Sequence, residues 1–152
     1  MNNHQFELLD NLSISIKERG ERAHVASEAE SGIVCNYKQF FIVAKDSDGA
    51  ISGVLTAYTA FAEIYVDDIW VEPTKRGHGI GFNLLAELEE KFRGKGYNNI
   101  NLVTYAFQAP EFYKKCGFEQ EFVRINKHNP KLNKFFFVKY FADQVQTQGV
   151  IG

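Results

Sequence analysis

A strand that runs into a glycine-rich turn and then into a helix constrains this chain more than any other feature. The apolar segment Ile69-Trp-Val-Glu-Pro leads into Lys75-Arg-Gly-His-Gly-Ile-Gly-Phe, and an amphipathic run follows as far as Lys95. At such a junction, unpaired backbone N–H groups and the positive end of the helix dipole converge on one small volume. The glycines keep that volume free of side chains, so the sequence predicts a site for a phosphate group.

Two familiar phosphate-binding motifs fail at specific residues of this turn. A P-loop ends in Gly-Lys-Ser/Thr, whereas this turn ends in Gly79-Ile-Gly-Phe. A dinucleotide fingerprint that starts at Gly77 needs its third glycine at the position of Phe82. The turn is therefore expected to hold a phosphate ligand of another kind.

Composition indicates one folded domain, residues 1–152, with neither nucleic-acid nor membrane partners. The net charge is −2 and the 17 basic residues are scattered, whereas nucleic acid binding needs a concentrated basic surface. The N-terminus does not resemble a signal peptide, and no segment approaches the roughly 18 apolar residues of a membrane span. We therefore expect a cytoplasmic protein. The cysteines Cys35 and Cys116 and the four histidines have no metal-ligand spacing, so no metal is expected.

Hydrophobic periodicity and turn signals predict a sheet with one crossover helix. The expected elements are strands 40–44, 51–58 and 63–71, helix 79–95, strand 99–105, helix 110–115, and strands 118–125 and 134–141. The short links around helix 79–95 predict that the strands on either side of it are parallel. Residues 1–38 are less clear, with a strand-like alternation at Ile14 and Ile16 and helical composition after Glu18. The polar tail from Gln144 is expected to fray.

Strand 63–71 changes the phase of its apolar residues. Ile64 and Val66 alternate, and Ile69 and Val71 alternate, but the two pairs are out of step. One extra residue near Asp67-Asp68 explains the shift, which predicts a β-bulge there.

Three segments together resemble the Gcn5-related N-acetyltransferase (GNAT) superfamily. The segment Arg76-Gly-His-Gly-Ile-Gly is similar to its acetyl-CoA motif, Arg/Gln-x-x-Gly-x-Gly/Ala, and the preceding Ile69-Trp-Val-Glu-Pro is similar to its Leu/Ile-x-Val-x-Pro pattern. Further on, Ala109-Pro-Glu-Phe-Tyr-Lys-Lys-Cys-Gly-Phe resembles Ala-x-x-Phe/Leu-Tyr-x-x-x-Gly-Phe. The resemblance covers residues 40–141. It implies an α/β fold, in which a mixed, mostly antiparallel sheet of six to seven strands has a central parallel pair joined by a crossover helix and helices on both faces.

The resemblance also implies acetyl-CoA as co-substrate. Its pyrophosphate would lie on the backbone amides of the turn, and its pantetheine would enter between the splayed parallel strands. Many members of the family have Asn at the position of Ala106, which would contact the cofactor. Gln108 is the candidate that supplies this polar contact instead. The side chain of Trp70 is favoured as a core aromatic, and that of His78 is expected to face solvent. The candidate cofactor-binding residues are Trp70, Val71, Arg76, Gly77, His78, Gly79, Ile80, Gly81, Phe82 and Gln108.

Tyr113 is the candidate general acid, matched to the tyrosine of the family's Phe/Leu-Tyr pair. Phe112 and Cys116 share one helix face and are expected in the core, which turns Tyr113 toward the cleft. A tyrosine that only lines the wall of the cleft is the alternative. Cys116 is interpreted as a packing residue rather than a nucleophile.

The general base is a choice among four carboxylates on strand 63–71 or directly after it, before the glycine turn. Asp68 is favoured narrowly over Asp67, and Glu63 and Glu72 also compete. Their positions along the sequence do not decide which of them is the base.

The leading hypothesis is an acetyl-CoA-dependent N-acetyltransferase that moves the acetyl group directly to a primary amine of a small molecule within a ternary complex. The alternatives are a protein or peptide N-acetyltransferase and a non-catalytic acyl-CoA-binding module of the same fold. Polyamines, aminoglycosides and lysine side chains are all acceptors that an acidic rim would attract. The apolar run Phe135-Phe-Phe-Val suits a homodimer interface or a core strand equally well.

Overall fold

Alternating apolar residues after position 37 build six strands of one mixed sheet. In the computed structural model the strands are β1 (Lys38–Lys45), β2 (Ile51–Ala60), β3 (Glu63–Val71), β4 (Asn99–Tyr105), β5 (Glu119–Arg124) and β6 (Lys134–Tyr140). Their order in the sheet is β1-β2-β3-β4-β6-β5. β3 and β4 are parallel, and the other neighbouring pairs are antiparallel. The predicted mixed sheet with a central parallel pair is confirmed.

The structure describes residues 3–142, which divide into two compact units on either side of the Cys35–Asn36 bond. The first unit contains helix α1 (Ile14–Glu30), in which no residue is buried. The strand-like interpretation of Ile14 and Ile16 is wrong, because two alternating apolar residues are outweighed by the helix-forming run that follows them. The tail from Gln144 lies outside the described residues. The single-domain assignment stays a prediction.

Helices α2 (Ile80–Phe92) and α3 (Pro110–Lys115) flank the sheet of the second unit. The apolar stripe of α2 buries Leu84, Leu85 and Leu88, because their 3.6-residue period places them on one helix face. Gly53 of β2 lies beneath this helix, where a Cβ atom would come within 3.1 Å of Ile80 Cγ2. The close approach of helix and sheet therefore requires glycine at this position.

The β-bulge in β3 lies where the sequence predicts it. Thr56 of β2 pairs with Asp68 and Ala57 pairs with Val66, so Asp67 is the extra residue. The bulge brings two consecutive carboxylates to the point at which β3 begins to leave β4.

The apolar run of β6 belongs to the interior of the sheet. β6 lies between β4 and β5, and Phe137 and Val138 are 0% and 3% exposed. Burial on folding explains why this strand is apolar. The homodimer stays a prediction.

Candidate active site

A gap opens between the two parallel strands immediately after the bulge. β3 and β4 pair only from Glu63 with Asn99 to Val66 with Leu102, although β3 continues to Val71 and β4 to Tyr105. A polar cavity of about 140 Å³ occupies the point of separation. It is lined by Val66, Asp67, Asp68, Ile69, Leu102, Val103, Thr104, Gln108, Ala109 and Tyr113.

The backbone of Val71 is oriented toward this gap. The N–H of Glu72 donates to the carbonyl of Ser52 on β2 at 2.8 Å, and Val71 is opposite Gly53 in the next pair. In an antiparallel ladder, hydrogen-bonded and non-hydrogen-bonded pairs alternate. The N–H and C=O of Val71 therefore point away from β2. The carbonyl accepts a hydrogen bond from Arg76 Nε at 3.1 Å, and the N–H is available to an extended ligand chain between the strands.

The side chain of Trp70 lies outside the core. It is 42% exposed and pairs across the ladder with Val54 rather than with the buried Leu55. The interpretation of Trp70 as a core aromatic is wrong, because the bulge fixes which residues of β3 face α2. Its main-chain role beside the gap stays a prediction.

The glycine turn presents a row of open backbone N–H groups. Within residues 3–142, the N–H groups of positions 77–82 make no hydrogen bond, and the first backbone bond of α2 is from Asn83 N–H to the Gly79 carbonyl at 2.9 Å. Gly77 and Gly79 have φ angles of 84° and 79°, a region that disfavours side chains with a Cβ atom. His78 is exposed, as expected, and Phe82 is 51% exposed. The turn thus has the donors and the open space that an anion needs.

Gly81 has a different role from the other glycines of the turn. A Cβ atom at this position would lie 3.1 Å from Cζ of Phe112 on α3. The third glycine therefore allows α2 and α3 to pack closely. This contact also fixes the position of the helix that carries Tyr113.

Arg76 folds back onto the end of β3 instead of covering the turn. Its Nε donates a hydrogen bond to the carbonyl of Val71 at 3.1 Å. The two terminal guanidinium nitrogens make no hydrogen bond to any of the described residues 3–142. They remain available to a phosphate, so the charge-assisted contact of Arg76 stays a prediction.

The ring of Tyr113 is packed among aromatic side chains. Its centroid lies 5.1 Å from that of Phe112, 6.0 Å from that of Phe118 and 6.1 Å from that of Phe137. Its hydroxyl group makes no hydrogen bond within the described part of the chain, and its oxygen is not sealed from solvent. The side chain therefore combines a fixed ring with an unused O–H at the cavity.

The surroundings of Tyr113 keep its hydroxyl protonated. Burial, followed by the nearby Asp68 carboxylate and Cys116, raises the pKa of Tyr113 from its ordinary value of 10.0 to about 12. Both burial and negative charge disfavour the phenolate. At neutral pH Tyr113 is thus a proton donor at the cavity.

The structure separates the four candidate carboxylates. Asp67 and Asp68 line the cavity. Glu63 lies at the opposite end of the parallel pair, where its Oε1 accepts a hydrogen bond from Asn99 Nδ2 at 3.0 Å. Glu72 follows the end of β3 and does not line the cavity. The choice of Asp68 over Asp67 stays a prediction.

Gln108 is held at the cavity by hydrogen bonds of its own loop. Its Oε1 accepts from Tyr105 N–H at 2.9 Å and from Thr104 Oγ1 at 3.3 Å, which leaves its amide N–H groups for a ligand. Thr104 was not among the predicted site residues, although it lines the cavity and accepts from Ala109 N–H at 3.4 Å. Only its phase could have indicated it, because Thr104 is buried and continues the inward-facing alternation of Ile100 and Leu102 on β4.

Titration of the tyrosines tests the protonation of Tyr113. We expect the difference in tyrosinate absorbance between the wild type and Tyr113→Phe to show a phenol that titrates near 12 rather than 10. In the unfolded chain Tyr113 ionises near its ordinary pKa of 10, below its pKa in the folded protein. The free energy of unfolding of the wild type therefore falls as the pH rises from 10 to 12, and this fall is absent from Tyr113→Phe. If the phenol in this difference titrates at 10, the Tyr113 hydroxyl is freely solvated.

Neither a membrane span nor a metal cluster is found in the described part of the chain. Within residues 3–142, no helix combines the length and apolar character needed to cross a membrane. Over the same range, no three or more His, Cys, Asp or Glu side chains are grouped to hold a metal ion.

Comparisons with known proteins identify the family. Residues 36–120 match the family described as "Acetyltransferase (GNAT) domain". The chain is 34% identical over 71 residues to blasticidin-S acetyltransferase of Streptomyces morookaense, and the alignment covers 46% of this chain and about half, 52%, of that protein.

Solved structures share the fold. An acetyltransferase from Bacillus cereus has 28% identity and a TM-score of 0.72, with 88% of this chain and 97% of that chain covered. A phosphinothricin acetyltransferase from Sinorhizobium meliloti, solved with acetyl-CoA, has 23% identity and a TM-score of 0.57, with 83% and 70% covered. The sheet with its separated parallel pair, the glycine turn and the family match together show that this chain belongs to the GNAT acetyltransferase family.

Proposed function

We propose that this protein is an acetyl-CoA-dependent N-acetyltransferase that acetylates a primary amine of a small molecule by direct transfer in a ternary complex. One observation carries the proposal. The cavity between the separated ends of β3 and β4 brings Asp68 and Tyr113 together, at the end of the sheet from which β3 leads into the glycine turn.

Four groups of this chain suit the donor. The open N–H groups of positions 77–82 would bind the pyrophosphate, and the free guanidinium nitrogens of Arg76 would add charge. The backbone N–H of Val71 would donate to the pantetheine arm, as in an added strand that pairs with a sheet edge. Gln108 would donate an amide N–H from the opposite wall.

The residues of the cavity, together with solvent, account for the protons of the reaction once the ammonium form of the acceptor has lost a proton to solvent. The amine lone pair forms the C–N bond, and the C–S bond breaks as the tetrahedral intermediate collapses. The nitrogen becomes acidic once the C–N bond has formed, and Asp68 accepts its proton. Tyr113 gives a proton to the departing thiolate, and solvent returns the proton from Asp68 to Tyr113. The products are an amide and CoA thiol.

Cys116 does not suit an acetyl-enzyme intermediate. Its side chain is 7% exposed, and burial raises the pKa of its thiol against the opposing effect of Lys139. A nucleophilic cysteine needs a low pKa and an accessible sulfur atom. Direct transfer is therefore favoured over a covalent route.

A small-molecule acceptor is favoured by the names of similar proteins and by the scale of the cavity. The similar proteins include acetyltransferases named for blasticidin-S and for phosphinothricin. The cavity at the strand separation is about 140 Å³.

The free thiols of Cys35 and Cys116 suit a reducing compartment, so we propose that the enzyme is cytoplasmic.

Release of CoA thiol in the presence of a panel of small amines tests this function. We expect turnover with at least one amine, together with an acetyl-sized mass increase in that amine. Turnover confined to peptides would assign the protein to the peptide N-acetyltransferases. Tight acetyl-CoA binding without turnover on any amine or peptide would instead identify a non-catalytic acyl-CoA-binding module.

A further inference from the structure

Three tyrosines form a continuous row on the face of the sheet opposite α2. The ring centroids of Tyr37 and Tyr58 are 5.3 Å apart, and those of Tyr58 and Tyr65 are 5.2 Å apart. Tyr58 and Tyr65 are opposite each other on β2 and β3. Their chain neighbours Ala57 and Val66 are 0% and 2% exposed, so the alternation of a strand places the tyrosines on the other face. We call Tyr37, Tyr58 and Tyr65 the aromatic row.

Asp67 connects the aromatic row with the cavity. Its carboxylate lines the cavity. After burial, which is the larger cause, the charge of Asp67 raises the pKa of Tyr58, and it also contributes to the raised pKa of Tyr65. Asp67 is two residues from Tyr65 along β3, and the bulge leaves it without a partner on β2. The aromatic row and the cavity are therefore adjacent along this strand.

The aromatic row and Asp67 have the chemistry of a cation site. Within residues 3–142, the Asp67 carboxylate makes no salt bridge or hydrogen bond, so its charge is not neutralised by a lysine or an arginine. Tyrosine faces attract organic cations by about 0.5–2 kcal/mol each. A carboxylate beside these faces adds Coulombic attraction.

We propose that the aromatic row and Asp67 bind a second cationic nitrogen of the acceptor, so that the preferred substrates are diamines rather than monoamines. This inference rests on the proposed acetyl transfer, because it assumes that the other nitrogen reacts at the cavity. Tyr65 and Asp68 are three residues apart along β3. At a rise of about 3.3 Å per residue, the two nitrogens would be separated by roughly 7–10 Å.

Initial rates with straight-chain diamines of increasing length, each compared with the monoamine of equal length, test the inference. We expect the KM of the best diamine to be about tenfold below that of its monoamine. Tyr58→Leu and Tyr65→Leu should each raise the diamine KM about fivefold and leave kcat and the monoamine KM unchanged. Tyr58→Phe and Tyr65→Phe keep the aromatic face and should stay within about twofold of the wild type.

Phe122→Leu is the matched control. Phe122 is 55% exposed and lies on β5 at the far edge of the same sheet, so this variant should behave as the wild type. Equal KM values for diamine and monoamine, or Phe variants as impaired as Leu variants, would overturn the inference and leave the transfer reaction intact.

Calorimetry separates failure of the inference from failure of the proposed function. If no amine is acetylated, titration of the best-fitting diamine into the protein still tests the row. Binding that weakens in both Leu variants and persists in both Phe variants supports it, and absence of binding overturns it. Titration of acetyl-CoA in the same series reports independently on the donor site.

Discussion

Replacing Tyr113 by Phe is expected to lower kcat for acetyl transfer by about 100–1,000-fold, because the departing thiolate loses its proton donor. The hydroxyl makes no hydrogen bond within residues 3–142, and Phe keeps the ring contacts with Phe112, Phe118 and Phe137. The thermal midpoint and the affinity for acetyl-CoA should therefore remain close to those of the wild type. Steady-state kinetics, calorimetry and thermal unfolding of one preparation measure all three quantities.

Two results would argue against this role. A kcat within about threefold of the wild type would leave Tyr113 as a tyrosine that only lines the cavity wall. A loss of acetyl-CoA affinity equal to the loss in kcat/KM would indicate a binding role instead.

Replacing Gly79 by Asp is expected to weaken acetyl-CoA binding by about 30-fold relative to Gly79→Asn, which corresponds to about 2 kcal/mol of charge repulsion. Gly79 has a φ angle of 79°, a conformation that Asn and Asp tolerate better than other residues with a Cβ atom. A Cβ atom at this position would meet only Asn83 Nδ2, at 4.0 Å. The two variants have similar shapes and differ in charge at the open N–H groups of the turn.

Calorimetric titration of both variants with acetyl-CoA at low and high salt makes this comparison. The difference between Asp and Asn should shrink as salt screens the repulsion. An acidic residue at a helix N-terminus favours the helix, so the Asp variant should unfold no earlier than the Asn variant. Equal affinities for acetyl-CoA would mean that the pyrophosphate does not bind at this turn.

Local sequence patterns predicted the strands and the bulge because each pattern records one physical requirement. The alternation of β3 breaks between Val66 and Ile69 because Asp67 has no partner on β2. The turn between β1 and β2 is also local, since Asp46 Oδ1 accepts the N–H groups of Asp48 and Ala50 at 2.9 and 3.0 Å. These interactions lie within a few residues of the pattern that indicates them.

Features that depend on contacts between distant segments could not be predicted in this way. The motif assigns Gly81 to the phosphate turn, yet a Cβ atom at this position would crowd Phe112 of α3. Arg76 bonds the Val71 carbonyl, and nothing in the motif distinguishes that contact from one to a phosphate. The aromatic row is also invisible in the sequence, because Tyr37, Tyr58 and Tyr65 meet only through strand pairing.

The choice among the candidate carboxylates shows both what the sequence predicts and what it does not. The sequence placed Asp67 and Asp68 at the bulge but could not exclude Glu63. The structure places Glu63 against Asn99 at the far end of the parallel pair, since the direction of β4 decides which end of β3 borders the gap. Sequence spacing along one strand does not contain that information.

A crystal structure of the protein with acetyl-CoA tests the central claim most directly. We expect the pyrophosphate to accept hydrogen bonds from backbone N–H groups between Gly77 and Phe82, and the pantetheine arm to lie between β3 and β4. The thioester sulfur should lie within hydrogen-bonding reach of the Tyr113 hydroxyl. Acetyl-CoA bound away from the glycine turn, or a thioester that lies outside the cavity of Asp68 and Tyr113, would contradict the proposed site.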